Sequence, residues 1–389
     1  MKILIKNAKI ISPYEVKDNS SLEIEKGKIS NLFHKRKVDE EGYDRIIDAK
    51  NQYLSPGFID IHNHGNSGYD AMDGSYQALD AIAEFHLQNG ITSFLATTMT
   101  SESEKVKRAL ENVGKYINEK EHKNIKSQVL GIYLEGPYFA MEKKGAQPAE
   151  YIRLPDIEEM EEFINISQDT IKVVALAPEL DGAEQVISYL RSKDIRVAAG
   201  HSNANFAETK IGIDAGITIA THLYNGMRSF AHREPGIIGA VLTDDRVFTE
   251  LISDGIHSHP GAMDLAVRAK GKEKIVLISD AMRAAGLEDG EYELGGQAVF
   301  VKNGEARLKE GSLAGSVLTL DRAVYNMVNL VNLRIEDAVR MATLNAAKAI
   351  GLDKSKGSIE VGKDADLIIF DEDINISKAM VNGEVREFK

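Results

Sequence analysis

The chain has 389 residues, 43% hydrophobic and 28% charged, with a formal net charge of −13 and no cysteine. Its length suffices for a full core, its apolar fraction excludes a disordered polymer, and its acidity argues against nucleic acid or anionic membrane as partners. The missing thiols exclude disulfide scaffolds, cysteine-ligated zinc, iron–sulfur clusters and thiol nucleophiles.

Residues 1–54 read as short strands: ILIKNAKII, SLEIEKGKIS and DRIIDAKNQYLS alternate apolar and polar positions. The opening MKILIKNAKIISP is broken by lysines and lacks the apolar core of a signal peptide. No run of 18 apolar residues predicts a membrane span. The expected setting is the cytoplasm, which the lack of cysteine suits. From Pro56 the texture changes to eight apolar, β-branched runs: PGFIDIH, GITSFLATT, SQVLGIYLE, IKVVALAPE, IRVAAGHS, ITIATHLYN, VFTELISDGIH and KIVLISDA. Such near-continuous runs suit buried parallel strands. Helical spacing lies between several of them, as at Val106, Leu110, Val113 and Ile117, or at Ile157, Met160, Phe163 and Ile164. Gly90 and Gly351 stand where helices should stop. The C-terminal stretch returns to strands, with Asn382-Gly383 as a hairpin turn. The expectation is an α/β protein: a (β/α)8 TIM-like barrel over residues 55–356 with a small β-sandwich domain from 1–54 and 357–389. A doubly wound open sheet is the alternative, but no Gly-x-Gly-x-x-Gly follows any strand.

A barrel of this kind carries its active site at the C-terminal ends of its strands. Those ends hold His62 and His64, Thr98, Glu135, Glu179, His201, His222, Asp254 with His257, and Asp280. Five of the ten histidines are among them. Singly, each has an ordinary explanation. His-x-His is often incidental, Glu135 could serve a helix N-terminus, a lone histidine is usually a hydrogen-bonded core residue, and Asp280 could cap the next helix. Together, four imidazoles and two carboxylates on one rim match the ligands of a divalent transition metal. No Gly-x-Ser-x-Gly elbow, phosphate loop or His-Glu-x-x-His helix competes. His34, His86, His122 and His259 read as surface or helix residues.

The motifs PGFIDIHNHG, YLEGPY, LAPE, AGHS, THLYNGM, REPG, DGIH, SDA and LAGS run in that order through residues 56–316. In them the chain resembles the amidohydrolase superfamily, and within it the deacetylases of N-acetylated amino-sugar phosphates. Relatives that bridge two metals with a carboxylated lysine after the fourth strand differ, because here that run ends Ala177-Pro178-Glu179. The resemblance implies hydrolysis of N-acetylglucosamine 6-phosphate to glucosamine 6-phosphate and acetate by a metal-activated water. N-acetylgalactosamine 6-phosphate or another N-acyl compound is the alternative substrate. It implies Zn²⁺ or Fe²⁺, one or two per subunit. Glu135, His201 and His222 would hold one ion, while His62 and His64, with Glu135 shared and Asp280 nearby, would hold a second. Asp280 would move the proton from water to the leaving amine. Gln147, where many relatives carry histidine, would orient the acetyl oxygen. Arg233, His257 and the backbone N–H groups of Asn225 and Gly226 would hold the phosphate, and the segment around Ala314 would close over the acetyl group. Arg233 is placed to reach a neighbouring subunit, which implies a homodimer.

Overall fold

The computed structural model describes residues 1–35, 38–119 and 125–388; His122 lies outside them. The eight apolar runs form eight parallel strands: β1 (Phe58–Asn63), β2 (Ile91–Thr98), β3 (Gln128–Glu135), β4 (Ile171–Leu176), β5 (Arg196–Ala199), β6 (Ile217–Ala220), β7 (Phe248–Ile252) and β8 (Ile275–Ile278). Each pairs with the next in chain order, whereas a doubly wound sheet reverses direction at a switch point. The Asp280 N–H donates to His62 O at 2.9 Å and draws the end of β8 against β1. The barrel is nearly closed.

Phe94, Val173, Val197, Ile219 and Leu277 are all buried, because the barrel interior meets one strand face and the helices meet the other. Helix α1 (Tyr76–Gln88) starts on Ser75, whose side chain accepts from Ala78 N, and the chain turns at Gly90 with φ +76°. Helix α2 (Ser103–Asn118) buries Val106, Leu110 and Val113, as their spacing predicts. Helix α3 (Ile157–Ile166) is capped by Asp156 and buries Met160, Phe163 and Ile164. Each such leucine or isoleucine is worth about 2–5 kcal/mol against alanine.

The termini together form one eight-stranded sheet of residues 2–11, 16–25, 28–34, 45–48, 53–56, 367–370, 376–381 and 384–387. Strand 2–11 is its branch point, pairing with 16–25, 45–48 and 53–56. Ile3, Ile5, Leu22, Ile24, Leu367 and Met380 make a core separate from that of the barrel. The turn between 376–381 and 384–387 is Asn382-Gly383, both with positive φ, as the dipeptide predicts.

A three-stranded antiparallel sheet, 290–294, 297–302 and 305–308, follows β8 and has no counterpart in the expectation above. Its turns, Gly295-Gly296 and Asn303-Gly304, are hairpin signals in the sequence. Leu294, Val299 and Leu308 pack on Met99 and Met282 beside the C-terminal rim of the barrel. Among the described residues no helix is long and apolar enough to cross a membrane.

Candidate active site

Six side chains from five barrel strands meet at the C-terminal rim. Glu135 is the last residue of β3, and His62 and His64 flank the end of β1. His201, His222 and Asp280 each lie two residues beyond β5, β6 and β8, with φ of 45°, 28° and 50°. Non-glycine residues seldom take positive φ, at a cost of about 1–3 kcal/mol each, and hold it only where the surroundings over-determine it. Three such residues on one rim mark a site built at the expense of relaxed backbone.

Glu135 is the hub. Its Oε1 lies 3.2 Å from His201 Nε2 and 3.1 Å from His222 Nε2, and those two nitrogens are 3.2 Å apart. His64 Nε2 lies 3.4 Å from both Glu135 Oε2 and Asp280 Oδ1. His62 Nε2 is 3.7 Å from both Glu135 Oε1 and Asp280 Oδ1. Two triads result, Glu135–His201–His222 and His62–His64–Asp280, each with its ligand atoms within 4.8 Å of one another.

The outer nitrogens decide what the inner ones offer. His201 Nδ1 contacts Lys143 O at 2.9 Å and His222 Nδ1 contacts Asn225 O at 3.1 Å. A carbonyl only accepts, so both rings keep a proton on Nδ1 and, when neutral, present a bare Nε2 lone pair. Two bare nitrogens and a carboxylate oxygen this close need positive charge between them, as protons or as a metal ion. Protons can supply it. Burial acts against charge on His222, yet Glu135 outweighs it and pushes the ring up to about 9. Burial also resists ionisation of Glu135, but His201, His222 and His64 hold its carboxyl well below the ordinary range. Asp280 is buried too, and His64 and the other imidazoles keep its carboxyl low. A buried set of imidazole nitrogens and carboxylate oxygens with fixed outer hydrogen bonds also fits a divalent transition metal, and the orphaned His62 Nε2 has no hydrogen-bond partner.

The triads face a cleft of about 390 Å³ lined by Gln147, Asn225, Gly226, His257, Arg307 and the 311–315 turn, among others. That is room for a sugar phosphate rather than an oligosaccharide. Gln147 lies in the wall, but its amide is engaged: Nε2 donates to Glu135 Oε2 at 2.8 Å and Oε1 accepts from Thr100 N at 2.9 Å. The expected pair of backbone donors is reduced to one. Asn225 N donates to His222 O at 3.0 Å, whereas Gly226 N has no acceptor among the described residues. His257 Nδ1 donates to Asp254 Oδ2 at 2.6 Å, which fixes its ring.

Arg233 does not reach the cleft of its own chain. It is exposed, with no ion pair to Glu234 or Asp245 among the described residues, and Glu234 instead accepts from Phe206 N and Gly236 N. Ala314 is fully buried behind the wall, its N–H given to Ala306 O, while Leu313 and Gly315 face the cleft. Glu179 serves the fold, accepting from Ser202 Oγ and Asn203 N. Two further residues at the site lie outside the sequence motifs. Arg307, from the inserted sheet, lines the cleft. Glu250, fully buried in β7, accepts from His62 Nδ1 at 3.0 Å. The signal for Glu250 was present, a carboxylate inside the apolar run VFTELIS.

Comparison with known proteins agrees with this architecture. The model of the amidohydrolase family matches residues 53–386. An N-acetylglucosamine-6-phosphate deacetylase of Bacillus subtilis is 42% identical over 384 residues, 98% of this chain and 96% of the relative. An N-acetylgalactosamine-6-phosphate deacetylase of Escherichia coli O157:H7 is 42% identical over 343 residues, 88% of this chain and 90% of the relative. The solved structure of N-acetylglucosamine-6-phosphate deacetylase from Pasteurella multocida is 35% identical and aligns with a TM-score of 0.93 over 100% of both chains. A (β/α)8 barrel with this rim, a family model over most of its length and such relatives make the chain a hydrolytic enzyme of the amidohydrolase family.

Proposed function

We propose that the chain hydrolyses the acetamide of N-acetylglucosamine 6-phosphate, releasing glucosamine 6-phosphate and acetate. The observation that carries this reading is the convergence of four imidazole Nε2 atoms on Glu135 and Asp280, with His64, His201, His222 and both carboxylates lining a sugar-sized cleft. Glu135, His201 and His222 would hold one divalent ion, Zn²⁺ or Fe²⁺, and His62, His64 and Asp280 would offer a second position. A bound ion would supply Lewis acidity and lower the pKa of its water toward about 7.

Asp280 is the proton carrier. Its carboxyl is held in the ionised form by neighbouring imidazoles, so it can accept a proton from the attacking water and return it to the departing amine. Gln147 has a second amide hydrogen beyond the one given to Glu135 and turns it toward the acetyl oxygen. His257, Arg307 and the free Gly226 N–H supply donors for the phosphate. The enzyme works as a cytoplasmic homodimer in which Arg233, exposed on its loop, completes the phosphate site of the second copy.

The test is acetate release from N-acetylglucosamine 6-phosphate by purified protein, with bound metal counted before and after chelation. Activity that falls with metal content, and a loss in kcat of about 10²–10⁴-fold for Asp280→Asn, are the expected results. Full activity in metal-free protein sinks the reading. The relative from Escherichia coli that acts on the galactosamine epimer supports a second reading, and kcat/KM on the two epimers decides between them.

A further inference from the structure

Glu250 stands outside both triads, yet it touches each. It is completely buried, and among the described residues its one ion-pair partner is His62. One carboxylate oxygen accepts from His62 Nδ1 at 3.0 Å and from the backbone N–H of His222 at 3.2 Å. The other oxygen makes no hydrogen bond among the described residues, and the Tyr133 hydroxyl faces the carboxylate. The His62 ring lies over Tyr133 with centroids 4.5 Å apart, and its Nε2 is buried and unbonded.

A carboxylate stripped of water and left uncompensated is strongly unfavourable. Among the described residues neither lysine nor arginine forms an ion pair with Glu250. His62 links this carboxylate to the rim: its Nδ1–H faces Glu250 and its Nε2 faces Glu135 and Asp280, 3.7 Å from an oxygen of each. A carboxylate behind an imidazole fixes the tautomer, aims the lone pair and makes the nitrogen a stronger ligand.

We infer that Glu250 is the positioning residue of the second metal position: it makes His62 a ligand, so that His62, His64 and Asp280 hold an ion of their own. Glu250 does not touch substrate and acts only through His62. The inference rests on the proposal that this rim binds metal, and it goes further by making occupancy of the second position depend on one residue of β7.

Zn²⁺ binding to metal-free protein, followed by calorimetry and by bound-zinc analysis after dialysis, tests it with Glu250→Gln. Glutamine keeps the shape and an acceptor oxygen for His222 N–H but removes the charge, so a merely structural strut would survive the change. The expected result is two zinc ions on the wild type, with the second bound about 10- to 100-fold more weakly by Glu250→Gln and the ion on Glu135, His201 and His222 bound as before. Equal affinity for both ions in the variant overturns the inference and leaves the functional proposal standing. A wild type that takes up one ion at saturation does the same, whereas one that takes up none overturns the functional proposal. Should Glu250→Gln fail to fold, ¹⁵N-histidine NMR of the zinc-saturated wild type decides, because a His62 protonated on Nε2 rather than Nδ1 overturns the inference.

Discussion

The two triads use similar ligands but are held in different ways. In the Glu135 triad, both imidazoles give Nδ1–H to backbone carbonyls, Lys143 O and Asn225 O, on loops that follow barrel strands. In the Asp280 triad, His62 relies on a side chain, Glu250, and His64 Nδ1 has no hydrogen bond among the described residues. Its inner contacts are also longer, 3.4–3.7 Å against 3.1–3.2 Å. Backbone carbonyls are fixed by the fold and survive substitution, whereas a carboxylate can be lost in one step. On the proposed reading, the first triad would be the principal metal position and the second an adjustable one.

The sharpest way to break that distinction is to remove one ligand from each side. His201→Asn should release the principal ion and lower kcat/KM by about 10³-fold or more, because the Lewis acid leaves with it. His64→Asn should keep that ion and lose about 10- to 10²-fold, the range found when supporting groups of a metal site are removed. Bound-metal analysis beside kcat/KM on both variants checks this. Equal losses would mean that the triads work as one unit. Gly226→Ala probes the same asymmetry from the backbone. Gly226 has φ +59°, and a Cβ there would sit 2.9 Å from His201 Nδ1. The ring must move, so kcat should fall by about 10²-fold with the His201 side chain intact. An unchanged kcat would show that the principal triad tolerates displacement.

Much of this was legible in the sequence, and the parts that were not have physical reasons. The eight strands show because parallel strands buried on both faces are apolar throughout, as in KIVLIS. The six rim residues show because a barrel gathers every strand end at one face. Arg233 is exposed away from its own cleft, because a motif fixes a residue's order in the sequence but not the reach of its loop. The paired amide donors failed for a similar reason: Asn225 N closes a turn onto His222 O, and no residue pattern reports that hydrogen bond. Arg307 rides on an insertion whose Gly295-Gly296 and Asn303-Gly304 turns mark hairpins but not where the sheet will lie.

His86 sharpens the comparison from outside the site. Its imidazole is as buried as those on the rim, against Phe94 with centroids 4.6 Å apart, but neither of its nitrogens has a partner among the described residues. Burial alone pushes it down to about 3, while carboxylates lift His222 to about 9 despite equal burial. The sign follows from which state takes up the proton. Between the unfolded value of 6.5 and about 3, the unfolded chain binds a proton at His86 that the folded chain refuses. Stability from this group is therefore complete above 6.5 and falls as pH drops, by up to about 1.4 kcal/mol per pH unit. His86→Leu should flatten that slope between pH 7 and 5 in urea denaturation, whatever the substitution does to stability at pH 7. A parallel slope in the variant would mean that His86 charges inside the folded protein, and that burial without a carboxylate does not suffice to keep an imidazole neutral here.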